Sequence, residues 1–132
     1  MSKQTITSGK RKTSVARATI KKGEGRVKIN GVDLESFTPE ISRLKIQVPL
    51  LLAMEDASKC DISVRVAGGG FNSMAEASAL AIARGLVKQN KKLETTFLNY
   101  DRQLLVADVR RREVRKPNRH GKARSKRQKS YR

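Results

Sequence analysis

The chain has 132 residues, 32% of them charged and only 4% aromatic, with thirty Lys/Arg against twelve Asp/Glu and a net charge of +18. This length allows one domain plus an extension and excludes two substantial cores. The cationic surplus exceeds what solubility needs and calls for a polyanionic partner, nucleic acid before an anionic membrane surface.

MSKQTITSGK, at the start, carries no apolar segment of signal-peptide length. GKRKTSVAR, Gly9 to Arg17, is the first dense signal. Lys10, Arg11 and Lys12 make a basic knuckle, after which a strand pattern places Ala16, Ala18 and Ile20 on one face and Val15, Arg17 and Thr19 on the other. Lys22-Gly23-Glu24-Gly25 reads as a turn, and Arg26 to Ile29 alternates again with Val27 and Ile29 inward. The two runs predict a β-hairpin whose outward face carries Arg17, Arg26 and Lys28. Asn30-Gly31 is a strong turn dipeptide.

Thr38-Pro39-Glu40 predicts a helix start with Thr38 as N-cap and Pro39 in the first helical position. Pro49 and the run Leu50 to Ala57 predict a second, short helix. The longest apolar run, Val48 to Met54, contains that proline and falls far short of the ~20 residues that span a bilayer. Cys60, the one cysteine, permits no internal disulfide and reads as a small filler at a strand start. Asp61 to Val66 is the clearest strand, with Ile62, Val64 and Val66 inward and Ser63 and Arg65 outward.

Gly68-Gly69-Gly70 leads into the best helix, with Ser73-Met74-Ala75-Glu76 as a capping box. Ala75, Ala79, Leu80, Ile82, Ala83, Leu86 and Val87 share one arc, and Ser73, Glu76, Arg84 and Lys88 lie opposite. Residues 92–99 predict another short helix, and Leu104-Leu105-Val106 is the last apolar anchor. Residues 1–109 therefore predict a globular α+β RNA-binding domain, a small β-sheet packed by helices.

Residues 110–132 are of a different kind. They hold twelve Lys/Arg against one acid, Glu113, and so carry +11 of the +18. With almost no apolar side chain to bury, they predict an extended basic C-terminal tail with a reach of roughly 75 Å at about 3.3 Å per residue. Its cations, Arg110, Arg111, Arg112, Arg115, Lys116, Arg119, Lys122, Arg124, Lys126 and Arg127, repel one another unless a polyanion neutralises them. Pro117 and Gly121 keep the tail from forming one long groove-reading helix, which favours a folded RNA over a duplex.

Catalytic readings fail on the residues. His120, the only histidine, sits in the tail, away from any nucleophile or carboxylate that it could serve. One Cys and one His far apart offer no metal site, and no cofactor is expected. No Gly-Lys-Ser/Thr follows the glycine run, which excludes a Walker loop, and the Rossmann spacing is missing. The glycines predict a close backbone approach at a strand-to-helix turn. The Gly69 and Gly70 amides at the helix start could also hold a nucleic-acid phosphate. Without a recognition helix, a zinc finger or paired strand aromatics, contacts should go to phosphates and shape.

GKRKTSVAR, Ile29-Asn30-Gly31, Val66-Ala67-Gly68-Gly69-Gly70 and the ending KAR-x3-Q-x3-R (Lys122, Ala123, Arg124, Gln128, Arg132) together resemble the family of the ninth protein of the small ribosomal subunit. The resemblance covers essentially the whole chain. Tyr100-Asp101-Arg102, Arg110-Arg111 and the terminal Gln-Lys-Ser-Tyr-Arg are similar to its archaeal and eukaryotic branch. Met74 and Tyr131 depart from the Gln and Lys of many bacterial members. The resemblance implies a fold like the second domain of the fifth small-subunit protein, with a left-handed βαβ crossover, and a place in the head of the subunit in the cytoplasm. It further implies that Lys122 and Arg124 hold ribosomal RNA. Gln128, Lys129, Ser130, Tyr131 and Arg132 would lie close to the tRNA in the peptidyl site.

The expectation is thus a non-enzymatic small-subunit constituent. Its partners would be ribosomal RNA, peptidyl-site tRNA and neighbouring head proteins, with no membrane and no defined homo-oligomer. The rivals are a nonspecific DNA-compacting basic protein and a small-molecule kinase with Gly68–Gly70 as its phosphate loop. The kinase would need a catalytic acid and a metal site that the residues do not supply.

Overall fold

The computed structural model describes residues 3–132; Met1 and Ser2 of the N-terminal stretch lie outside them. Strands β1 (Thr5–Arg11) and β2 (Ser14–Lys22) form an antiparallel hairpin whose two-residue turn is Lys12-Thr13, with Lys12 at φ 53°; Lys10 and Arg11 of the basic knuckle end β1. β1 has no signature in the sequence. Its one large apolar residue, Ile6, faces solvent, and its buried positions are Thr7 and Gly9.

Strand β5 (Cys60–Ala67) lies beside β2 antiparallel and beside β3 (Val27–Ile29) parallel, and β3 pairs with β4 (Val32–Asp33). The sheet order is β1-β2-β5-β3-β4. The predicted hairpin between Val15–Ile20 and Arg26–Ile29 is therefore wrong, because β5 inserts between its two strands. The segment from Gly23 to Arg26 is drawn onto β5 instead. The Asp61 carboxylate accepts the backbone N–H groups of Glu24 (2.9 Å) and Arg26 (3.0 Å), and the Gly23 N–H donates to the Lys59 carbonyl. Asn30-Gly31 is the expected turn, with φ 51° and 83°, the left-handed pair that a two-residue hairpin requires.

The crossover from β3 to β5 runs through α1 (Glu40–Leu52) and a single turn, α2 (Met54–Ala57). Pro49 does not open a new helix as expected. It lies fully buried in the last turns of α1, where packing outweighs the missing N–H. The N-cap of α1 is Pro39, not Thr38. Helix α3 (Phe71–Gln89) also begins earlier than the capping box predicts. Gly70 is its N-cap and accepts the Met74 N–H at 3.0 Å, so Ser73 is already interior and caps nothing.

Two glycines let α3 lie directly on the sheet. A Cβ at Gly9 would collide with the Ala77 carbonyl and sit 2.7 Å from the Ala81 nitrogen; one at Gly85 would meet the Ile20 side chain. Thr7 locks the contact by donating its hydroxyl to the Ala81 carbonyl at 2.8 Å. Ala16, Ala18, Ile20, Ile62 and Val64 form the sheet side of the core, with Ala79, Ile82 and Leu86 of α3 above them. Helix α4 (Leu93–Tyr100) and the turn Arg102–Leu104 close one end with buried Phe97 and Leu104. The result is the expected α+β sandwich, with the helical layer on one face of the sheet.

Candidate nucleic-acid interface

The other face of the sheet carries no helix among the described residues. The period-two alternation that buries Ala16, Ala18, Val64 and Val66 turns Arg17, Lys21, Ser63 and Arg65 outward. Lys28 of β3 stands in register with Ser63, and Arg17 stands directly opposite Arg65 across β2 and β5. Like charges at such a position destabilise a sheet. Among the described residues, neither arginine makes an ion pair. With Thr19, Arg26 and Asp61 these side chains line an open depression of about 760 Å³.

Asp61 is part of the frame of this depression. Hydrogen bonds from the Arg26 and Glu24 backbones, then the Arg26 charge, hold its carboxyl below the ordinary Asp range despite some desolvation. Arg26 meets Glu24 at 2.9 Å and Lys28 meets Asp33 at 3.9 Å, and all four side chains are well exposed. Such pairs exchange readily for a phosphate. Lys21 continues the alternation Val15, Arg17, Thr19, and that spacing could have identified it.

Lys10 is exposed on β1, and Lys12 at the hairpin turn. Arg11 is not presented to solvent. Only 15% of its side chain is exposed, and it meets Glu76 at 2.7 Å and Asp108 at 3.5 Å. Two glycines of the run serve packing. A Cβ on Gly68 would lie 2.6 Å from the Thr13 carbonyl, and one on Gly69 would strike the Ser14 hydroxyl, which itself donates to the Gly68 carbonyl at 2.7 Å. Gly70 has open space around its α-carbon at the start of α3.

No helix or strand follows Leu104. Arg84 of α3 donates to the Leu105 carbonyl at 3.1 Å and Arg111 to the Lys12 carbonyl at 2.6 Å, so the chain stays on the body as far as Arg111. Asp108 sits between Arg11 and Arg110. The Arg110 side chain, followed by its backbone N–H, holds the Asp108 carboxyl far below the ordinary Asp range. Arg112, Arg115, Arg119, Lys126, Arg127 and residues 128–132 are exposed. The tail is not extended throughout. The Lys116 N–H donates to the Lys122 carbonyl at 3.0 Å, and Arg124 clasps Glu113 with two nitrogens, closing a cationic loop over residues 113–124.

A basic sheet face and a basic tail tethered beside its edge are shared by many nucleic-acid binders; the comparisons with known proteins decide among them. The family model described as "Ribosomal protein S9/S16" matches residues 9–132. The chain belongs to the ribosomal protein S9/S16 family. The "small ribosomal subunit protein uS9" of Thermoplasma volcanium is 51% identical over 129 residues, covering 96% of this chain and 97% of the relative. The protein of the same name in Thermoplasma acidophilum is 50% identical over 129 residues, covering 96% and 99%. That of Pyrobaculum aerophilum is 51% identical over 130 residues, covering 96% and 90%. All three relatives come from archaea, in line with the branch that the sequence resembles. The S9/S16 match begins at Gly9, the glycine beneath α3, and runs on through the tail. Membership in a family of ribosomal proteins carries a structural, non-enzymatic role on the ribosome, in the cytoplasm.

Proposed function

We propose that the protein is a constituent of the head of the small ribosomal subunit, and that it docks on ribosomal RNA through its open sheet face and its tail. Relatives that are half identical over nearly their whole length bear the small-subunit name. The observation that carries the RNA contact is the opposition of Arg17 and Arg65, a repulsive pair that an external phosphate would turn into an attractive site. Arg26, Lys28 and Lys21 widen that site, and Lys10 and Lys12 of the β1–β2 hairpin and Gly70 at the start of α3 add further contacts to the RNA. Arg110 to Arg127 extend it along the RNA, and as phosphates arrive the Glu113–Arg124 clasp gives way.

If six to ten phosphates are neutralised, affinity for ribosomal RNA fragments falls by about 10³–10⁵ between roughly 50 and 200 mM salt. A flat salt response would refute phosphate docking. Gln128, Lys129, Ser130, Tyr131 and Arg132 then approach the tRNA in the peptidyl site. Removing them leaves assembly intact and speeds tRNA release from that site; unchanged release rates on truncated subunits would refute the tRNA contact.

A further inference from the structure

The charge of the molecule is unevenly placed. Residues 32–58, from β4 through α2, hold five of the twelve acids but two of the thirty Lys/Arg, a net charge of −3 within a chain of +18. Both cations are engaged: Arg43 lies 3.5 Å from Glu40 and donates to the Glu35 carbonyl, and Lys45 lies 3.2 Å from Glu76. Glu35, Glu55 and Asp33 remain exposed.

The same segment is where apolar side chains reach solvent. Ile41, Leu44 and Leu51 of α1 and Met54 of α2 are all more than half exposed. At 100° per residue, Leu44 and Leu51 lie within about 20° of each other and roughly opposite Ile46, which is fully buried. α1 thus has a second apolar stripe that no element among the described residues covers. Beside it runs a groove of about 710 Å³ lined by Leu34, Leu50, Leu51 and Met54 together with Asp33 and Glu35; its one cation, Arg26, is paired with Glu24 at 2.9 Å.

From this arrangement we infer that the outer face of α1 and the adjoining groove dock a basic, leucine- or aromatic-bearing segment of another protein in the particle. The inference rests on the ribosomal reading above. Carboxylates around an apolar stripe repel a phosphate backbone and leave the stripe nothing to bury against RNA. A second copy of this chain fits poorly, since the acidic edge would face its own like and two bodies of +18 repel. A cationic protein segment satisfies both features: its apolar side chains cover the stripe while its Lys/Arg meet the carboxylate edge.

The test uses the full chain carrying Leu51→Cys, labelled with benzophenone-maleimide and reconstituted into small subunits. Cys60 is buried, with its thiol pKa raised chiefly by that burial, and stays unlabelled. Arg17→Cys, labelled in the same way, reports on the sheet face. After illumination, adducts are mapped by mass spectrometry. The expected result is a cross-link from residue 51 to a net-positive peptide of another protein, with a yield that falls several-fold when Glu35 and Glu55 are both changed to Lys. An adduct with RNA, with an acidic peptide or with a second copy overturns the inference, and so does no adduct in particles that contain the labelled chain. Failure of the labelled and unlabelled chains alike to co-sediment with small subunits overturns the ribosomal reading itself. An RNA adduct at residue 51 in co-sedimenting particles overturns this inference alone.

Discussion

Arg17 and Arg65 face each other across two central strands, where a protein selected for stability alone would place opposite charges or small polar groups. Replacing either by Ala should leave the folded state as stable or slightly more so. RNA affinity should fall, and the slope of log affinity against log salt should lessen by about 0.9 for each phosphate that is no longer neutralised. Paired urea titrations and salt-dependent binding curves measure both. Gly9 poses the reverse case, a residue with no functional group whose replacement is costly. Its missing Cβ would meet backbone atoms of α3, which cannot move aside, whereas a Cβ at Gly85 meets the mobile end of Ile20. Gly9→Ala should therefore destabilise by about 1–3 kcal/mol or more in urea unfolding, and Gly85→Ala by less.

Among elements, β1, α3 and the root of the tail are joined at one ionic node. Glu76 of α3 receives Arg11 of β1 and Lys45 of α1, and Arg11 also faces Asp108. Burial pushes the Glu76 carboxyl up, but the hydrogen bonds from Arg11 and Lys45 outweigh it and leave its pKa below the ordinary 4.5. Asp108 is held far below its ordinary 3.8, chiefly by the Arg110 side chain. A carboxylate with a depressed folded pKa adds stability that is fully present above its ordinary value and is lost as pH falls through the folded one. The melting temperature should therefore hold between pH 7 and about 5 and decline below the ordinary carboxylate range. Glu76→Gln should lower the plateau and flatten the decline; thermal melts across pH 7 to 2 read both. The basic runs near residues 10–12 and 110–112 were legible as cationic segments. That Arg11 belongs to the node, and that Arg111 is tethered to the Lys12 carbonyl, could not be read from them, because those partners lie 65 and 99 residues apart.

At the scale of the molecule, the body supplies a one-sided sandwich and the tail supplies charge. Nothing beyond Arg111 enters the core, and residues 112–132 carry ten Lys/Arg and one Glu. Deleting them takes the net charge from +18 to +9 while keeping the Arg11–Asp108 and Arg111–Lys12 attachments. The melting temperature should then stay the same, or rise at low salt as self-repulsion drops, while RNA affinity collapses. A melting temperature lowered by more than a few degrees would show that the tail is part of the fold.

The sequence by itself determined the class of partner, the α+β layering, the inward faces of β2 and β5 and part of the buried face of α3, though not Ala77, Ala81 and Gly85 that lie on β1 and β2. Charge and the spacing of apolar residues are local and report directly which side of an element is buried. It also carried the motifs by which the family is recognised. Only the tertiary structure decided which strand lies beside which, that α1 continues through Pro49, that Glu76 binds Arg11 and Lys45 instead of closing a capping box, and that Asp33 and Glu35 line one groove with Leu51 and Met54. Those outcomes depend on residues far apart in the chain competing for the same neighbour, and periodicity says nothing of that competition.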